Sequence, residues 1–366
     1  MSMPDVNFIG FVGAQYGSEI HAPTGPVVDR AYLRAAAQAH EHGGFDRVLI
    51  AFHSTAPDSF ALAQYVASVT ERIGLMIAHR PGFQAPTVAA RQLATLDQIT
   101  DGRAAVHIIT GGNDAELAQD GDALTKDERY DRTREYLDIV KASWTSPEPF
   151  DYDGRYYRVA KAFSAVKPVR QPHLPVYFGG SSDAAIAVAG RHADTYALWG
   201  ETKAQVRETI ARVRAAARAH GREEKIRFSL SFRPILAATE AAAWARAEDI
   251  LKHTRALRAA RGLGPAAVPQ NEGSRRLLAA AAQGDRPEGR LYTAIAAETG
   301  AQGNSTALVG TPEQVAEALH EYHALGVTTF LIRGFDPLED AVQYGRELIP
   351  AFRHLAGAPS RRPAAA

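Results

Sequence analysis

The sequence contains no cysteine and only three methionines among its 366 residues. Without cysteine there are no disulfides, thiolate metal ligands or cysteine nucleophiles. Sulfur this scarce suits a protein made during sulfur starvation, and equally the codon bias of a chain rich in alanine and arginine. Charge of one sign is also lacking: 41 Lys and Arg face 41 Asp and Glu, a formal net charge of +0. No bulk field therefore recruits nucleic acid or an anionic membrane, and any anion must be held by a local cluster. No apolar run reaches the ~18 residues of a membrane span. Residues 1–7 carry no basic segment followed by an apolar one, so no secretory signal is read and a cytoplasmic location is expected. No H-E-x-x-H spacing occurs, and no G-x-S-x-G, Walker A or G-x-G-x-x-G pattern follows an apolar run. That lowers the metalloprotease, serine hydrolase, NTPase and Rossmann readings. His53, His79 and His107 fall on neighbouring strands but lack carboxylates at ligand spacing, so no metal site is predicted.

What is present is a large apolar fraction, 46%, and 22% charged residues, enough for a sizeable core. Short apolar runs recur at 7–12, 47–53, 74–79, 104–110, 176–179, 195–199, 227–236 and 328–333. Most are apolar throughout, as expected of parallel strands covered on both faces. Helix-like segments lie between them at 29–42, 57–70, 85–99, 127–143, 183–191, 203–220, 241–261 and 312–325. Eight alternating β and α units predict a (β/α)8 barrel over an open doubly wound sheet. Two segments exceed that repeat. Residues 145–175 read as an inserted hairpin, and 262–304 as a long insertion between strands seven and eight, with helical character over 274–283. Such an insertion is a lid over the site, a dimer contact or a disordered segment. One domain over 1–356 and a frayed tail over 357–366 are expected.

In a barrel, function lies at the C-terminal ends of the strands. Polar residues crowd these ends here: His53, Ser54 and Thr55; His79 and Arg80; Thr110 and Gly111; Trp199, Gly200 and Glu201; Ser231 and Arg233; Arg333, Gly334 and Phe335. Gly179, Gly180, Ser181 and Ser182 precede a helix and fit two readings, a phosphate cradle or an ordinary N-cap. Arg129 and Tyr130 open another helix and are either anion contacts or an ion pair with a packed tyrosine. His107, three residues before the end of strand four, is either at cofactor depth or a satisfied core histidine.

Taken together, several motifs resemble the luciferase-like flavin monooxygenases, closest to their alkanesulfonate monooxygenase branch. They are Pro86 to Asp97, Asp101-Gly-Arg-Ala104, Thr110-Gly111 with Glu116-Leu117, Glu128-Arg-Tyr130, Gln171-Pro172, Tyr177 to Asp183, Trp199-Gly-Glu201, Thr306 to Gly310 and Leu338-Glu339. The resemblance implies reduced FMN supplied by a separate NAD(P)H-dependent flavin reductase, O2 as co-substrate, a small organic substrate, and a homo-oligomer, dimer or tetramer. It places Ser181, Ser182, Arg129 and Tyr130, with Gly179 and Gly180, around the FMN phosphate and ribityl chain. His107 and Thr110 then lie along the isoalloxazine, and Trp199 and His53 wall its reactive face.

The substrate side departs from the alkanesulfonate pattern. Ala56 stands where that branch has a cysteine, Ser231 and Arg233 where it has arginine and histidine, and Phe335 where it has tyrosine. No lid arginine is evident near Ala301. His79, Arg80, Arg233 and Arg333, beside Phe335, are the residues that could rebuild a cationic pocket for a sulfonate. A sulfone or other small-molecule monooxygenase, a deazaflavin-dependent oxidoreductase and a non-catalytic flavin-binding paralogue are the competing expectations.

Overall fold

The computed structural model describes residues 6–266 and 268–357. Of the tail expected at 357–366, residues 358–366 lie outside the described residues. Twelve strands are β1 (Asn7–Phe11), β2 (Arg47–Ile50), β3 (Gly74–His79), β4 (Ala104–Ile108), β5 (Phe150–Asp153), β6 (Arg158–Ala162), β7 (Val176–Gly179), β8 (Thr195–Trp199), β9 (Arg227–Leu236), β10 (Leu291–Tyr292), β11 (Ala307–Gly310) and β12 (Thr329–Ile332). The main helices between them are α1 (Arg30–His42), α2 (Ser59–Ser68), α3 (Pro86–Ile99), α4 (Asp114–Gln119), α5 (Lys126–Thr145), α6 (Asp183–His192), α7 (Lys203–Arg218), α8 (Glu240–Ala260), α9 (Glu272–Ala281), α10 (Ala294–Thr299), α11 (Pro312–Ala324), α12 (Pro337–Gln343) and α13 (Ile349–Leu355).

Strands β1, β2, β3, β4, β7, β8, β9 and β12 pair in parallel, and contacts of β9 with both β8 and β12 close them into a barrel. The predicted (β/α)8 architecture is therefore present. Helix starts are fixed by side chains that satisfy free N–H groups: Asp29 caps α1, Ser182 caps α6, and capping boxes Thr125/Glu128, Thr202/Gln205 and Thr311/Gln314 open α5, α7 and α11. Each such cap is worth about 1 kcal/mol.

Side chains alternate between two destinations along every strand. Phe8, Val48, Leu75, Ile77, Val106, Val176, Phe178, Tyr196, Phe228 and Phe330 join the large core shared with the helix layer. Their alternates Ile9, Met76, Ala105 and Tyr177, with Leu49 and Leu331, form a separate cluster that fills the barrel interior.

The insertions are more ordered than the sequence indicated. Strands β5 and β6 form the expected antiparallel hairpin. The segment 262–304 holds α9, β10 and α10 rather than one helix in a polar loop. Strand β11, which had no place in the expected repeat, pairs with the outer half of β9, Arg233–Leu236, and with β10. At ten residues β9 outlasts the barrel, and β11 satisfies the backbone that projects beyond it.

One buried carboxylate ties the bottom of the barrel. Asp97, wholly buried, accepts from Ala104 N at 3.1 Å and from Val169 N at 2.9 Å, joining α3, β4 and the segment entering β7. Asp97→Ala leaves these N–H groups unpaired and is expected to cost about 2–4 kcal/mol. Urea unfolding checks this, and a loss under 1 kcal/mol would contradict it.

Candidate active site

The alternation decides which sequence-predicted residues meet. His107 follows Ala105 on the inner face of β4, and Gly179 follows Tyr177 on β7. Trp199, Ser231, Arg233 and Arg333 likewise alternate with outward Leu198, Phe232 and Ile332, so they share the C-terminal mouth of the barrel. His79 has the opposite parity. It shares the outward face of β3 with Leu75 and Ile77, and its Nε2 lies 2.6 Å from the Tyr136 hydroxyl on α5. As a substrate candidate His79 is thus placed outside the lumen, beside a cleft of about 250 Å³ between α2 and α3. Reading it from the strand end alone missed this, although the spacing 75, 77, 79 carried the signal.

The turn after β7, whose Ser182 is the N-cap of α6, is built closely. Gly180 has φ +137, and a Cβ there would meet the Ala185 Cβ at 2.8 Å and the Tyr130 hydroxyl at 2.9 Å. The backbone is bare by necessity. The Tyr196 hydroxyl donates to the Gly180 carbonyl, and the Ser182 hydroxyl accepts from Ala185 N at the start of α6. Burial pushes the Tyr130 phenol up, opposed by its hydrogen bond with Ser182 and by the Arg129 charge. Arg129 is 2% exposed, donates to the Leu124 carbonyl at 2.5 Å and to Asp114 at 2.7 Å, and its Nε has no partner. Thr110 reaches Thr133 on α5 at 3.3 Å.

His107 Nδ1 is shielded from solvent with no protein partner. A ring nitrogen at the mouth with no protein partner is able to meet a ligand's polar atom. Burial lowers its pKa to about 4, so the ring is neutral near pH 7.

Other positions are committed. Arg80, buried, forms a forked pair with Glu116 at 2.9 and 3.2 Å, lies over the Phe52 ring, and is not offered to a substrate anion. Glu116 also accepts from Ser54 N and lies 3.8 Å from His53 Nε2. His53 itself is at the rim with a 56% exposed side chain, its Nδ1 on Thr55 Oγ1. Arg233, fully buried, is paired with Glu19, and Arg333 shares that carboxylate; Phe335 stacks beneath Arg233. Neither Glu19 nor Glu116 was given a role from sequence. Glu19 sits in a loop without periodicity, whereas Glu116 belongs to the Glu116-Leu117 motif that follows Thr110-Gly111.

The insertion covers this mouth. A Cβ on Gly273 would lie 3.0 Å from the Trp199 ring, and Trp199 packs on Leu277, Ala296 and Ala301. Arg276 of α9 grips buried Glu201 at 2.8–3.0 Å just beyond Trp199, and Gln270 accepts from Asp114 N. Among the described residues no group of His, Asp and Glu suits a metal ion.

Residues 6–329 match the family model described as luciferase-like monooxygenase. The chain belongs to that family. A structure of the riboflavin lyase RcaE, with modified FMN and riboflavin, aligns with this luciferase-like monooxygenase at TM-score 0.80 and 21% identity, over 98% of this chain and 93% of that one. EDTA monooxygenase EmoA from Chelativorans sp. BNC1 aligns at TM-score 0.72 and 21% identity, over 97% and 99%. An F420-dependent secondary alcohol dehydrogenase bound to an F420–acetone adduct aligns at TM-score 0.70 and 17% identity, over 96% and 100%. At such identities the likeness is one of fold.

Buried His40 and half-buried His79 and His107 give the enzyme a pH signature. His40, His79 and His107 each titrate near 4 when folded, against 6.5 unperturbed, because burial disfavours the cation. The unfolded chain therefore takes up protons first as pH falls. Stability is full above pH 6.5 and declines between 6.5 and 4. The urea midpoint is expected to drop measurably from pH 7 to pH 5, above the carboxylate range; a constant midpoint would contradict these environments.

Proposed function

We propose that the enzyme is a two-component monooxygenase, taking reduced FMN from an NAD(P)H-dependent reductase and oxygenating a small organosulfur compound, a sulfonate, with O2. For a primary sulfonate, reduced FMN and O2, the products are an aldehyde, bisulfite, oxidised FMN and water. The bound flavin supplies the oxygen chemistry.

The observation that carries the reading is the unpaired, neutral His107 Nδ1 on β4, in register with Tyr177 on the strand that leads into the glycine–serine turn. Gly179, Gly180, Ser181 and Ser182 with the first N–H groups of α6 suit the phosphate, since a helix start presents donors and a positive dipole end. Tyr130 and Arg129 stand beside them, and Thr110 lies along the cofactor's path. His107 donates or accepts at a ring edge. Trp199 under α9 walls the cofactor and keeps out water, with His53 at the open rim. Exclusion of water preserves a reactive oxygenating species. The partly exposed Arg333 and buried Arg233 are the cations nearest a substrate anion in this reading. The riboflavin lyase relative carries modified FMN, which favours the flavin, while the F420 enzyme keeps a deazaflavin oxidoreductase as the second reading. Assembly into a homo-oligomer is part of the proposal.

Turnover with a flavin reductase, O2 and a panel of sulfonates and sulfones is expected to release sulfite from at least one sulfonate. No oxygenated product from any member would sink the reaction. Gly180→Ala is expected to weaken FMN binding at least tenfold, about 1.4 kcal/mol, in a fluorescence titration. Unaltered affinity would remove the cradle assignment.

A further inference from the structure

The loop joining β1 to α1 puts a carboxylate between two arginines. Glu19 Oε2 lies 2.6 Å from Arg233 Nη1, and Oε1 lies 3.1 Å from Arg333 Nη2. The other contacts of Arg233 are uncharged: Nη2 donates to the Gly334 carbonyl at 2.7 Å, Nε to the Arg333 carbonyl at 3.4 Å, and the guanidinium lies 3.7 Å over the Phe335 ring. Arg333 lies 4.7 Å over the Phe11 ring. The nearby acids Asp336 and Asp340 are taken by Arg246, and Asp336 also by His21.

Two cations thus share one carboxylate, whereas Arg246 alone faces two, so charge balances over the wider cluster while the two guanidiniums hold a single bridging anion between them. Burial would raise the Glu19 carboxyl, yet Arg233 and Arg333 outweigh it and hold it at about 2. Burial and the Arg233 charge lower Arg333 to about 10. A two-oxygen anion bridging two guanidiniums is the geometry that an organic acid would reproduce.

The loop that carries Glu19 is half-buried over 13–21 and exposed over 22–28. Tyr16 donates to Glu339 at 3.0 Å, His21 pairs with Asp336 at 2.6 Å, and the stretch beyond runs exposed, with Val27 60% and Val28 44% accessible. Lifting it parts Tyr16 from Tyr32 and Ile20 from the cluster that holds Phe335, a cost that an anion entering between the two arginines offsets.

We propose that Glu19 is an internal stand-in for the substrate's anionic group: its carboxylate fills a two-arginine subsite at the barrel mouth that takes the oxyanion of a small organic acid when the β1–α1 loop lifts. The inference rests on the reading of Arg233 and Arg333 as substrate residues. It explains how a buried arginine can still select a substrate, and it makes the loop a specificity filter. A neutral molecule offers nothing to displace Glu19.

Removing the internal competitor should tighten anion binding. Calorimetric titration of the full chain with methanesulfonate, acetate and dimethyl sulfone compares the wild type with Glu19→Gln. At least a tenfold gain in affinity for one or both anions in Glu19→Gln, with the sulfone unaffected, is the expected result; the anion that gains more identifies the oxyanion class. Unchanged or weaker binding of both anions in the folded variant would overturn the proposal and leave Glu19 a structural ion pair. Should Glu19→Gln fail to fold, Glu19→Asp keeps the charge but shortens its reach, and a several-fold gain is expected. No gain there would also overturn it. The titration needs neither flavin nor turnover, so its failure is distinct from failure of the monooxygenase reading.

Discussion

A closed parallel barrel gives each strand side chain one of two destinations, the interior or the helix layer, and the site depends on that alternation. The interior cluster of Ile9, Met76, Ala105 and Tyr177 fixes the phase of β1, β3, β4 and β7. Once those residues face inward, His107 and Gly179 must follow two residues later, at the mouth. The same rule sends His79 outward to Tyr136. A slip of one residue would exchange the two sets, but the outer residues, such as Phe8, Phe178 and Phe330, are too large to enter the interior together.

Above this packed interior, the mouth is closed by charge pairs rather than by more apolar core. Arg276 with Glu201 ties the insertion to the end of β8, Arg80 with Glu116 ties β3 to α4, and Arg233 with Glu19 ties β9 to the first loop. Such pairs are strongly directional, and breaking one exposes an uncompensated buried charge. They hold elements in register without adding greasy surface to a ligand site. His107 Nδ1, on the inner face of β4, has no protein partner at this mouth.

Much of the fold was legible in the sequence. Strands β3, β7, β8 and β9 have the bounds that apolar runs and flanking polar residues predicted, and the capping residues Asp29, Ser182 and Thr202 sit where helices begin. Strand β2 stops at Ile50, short of the expected His53, because apolar Ala51 and Phe52 turn out of the ladder. Strand β11 escaped notice because four residues with neither alternation nor a turn signal resemble part of a loop; only the overlong β9 gives it a partner. The site was legible as chemistry but not as geometry. Motifs marked the residues of the glycine–serine turn and strand position marked His107, whereas pairings spanning hundreds of residues, such as Glu19 with Arg333, leave no local pattern.

The central claim is that this barrel mouth is built for reduced FMN. Anaerobic titration of the wild-type chain with reduced FMN and with reduced deazaflavin tests it most directly. Saturation by reduced FMN at one per chain, with at least tenfold weaker deazaflavin binding, is the predicted result; no binding of FMN in either redox state, or a preference for the deazaflavin, would contradict the account.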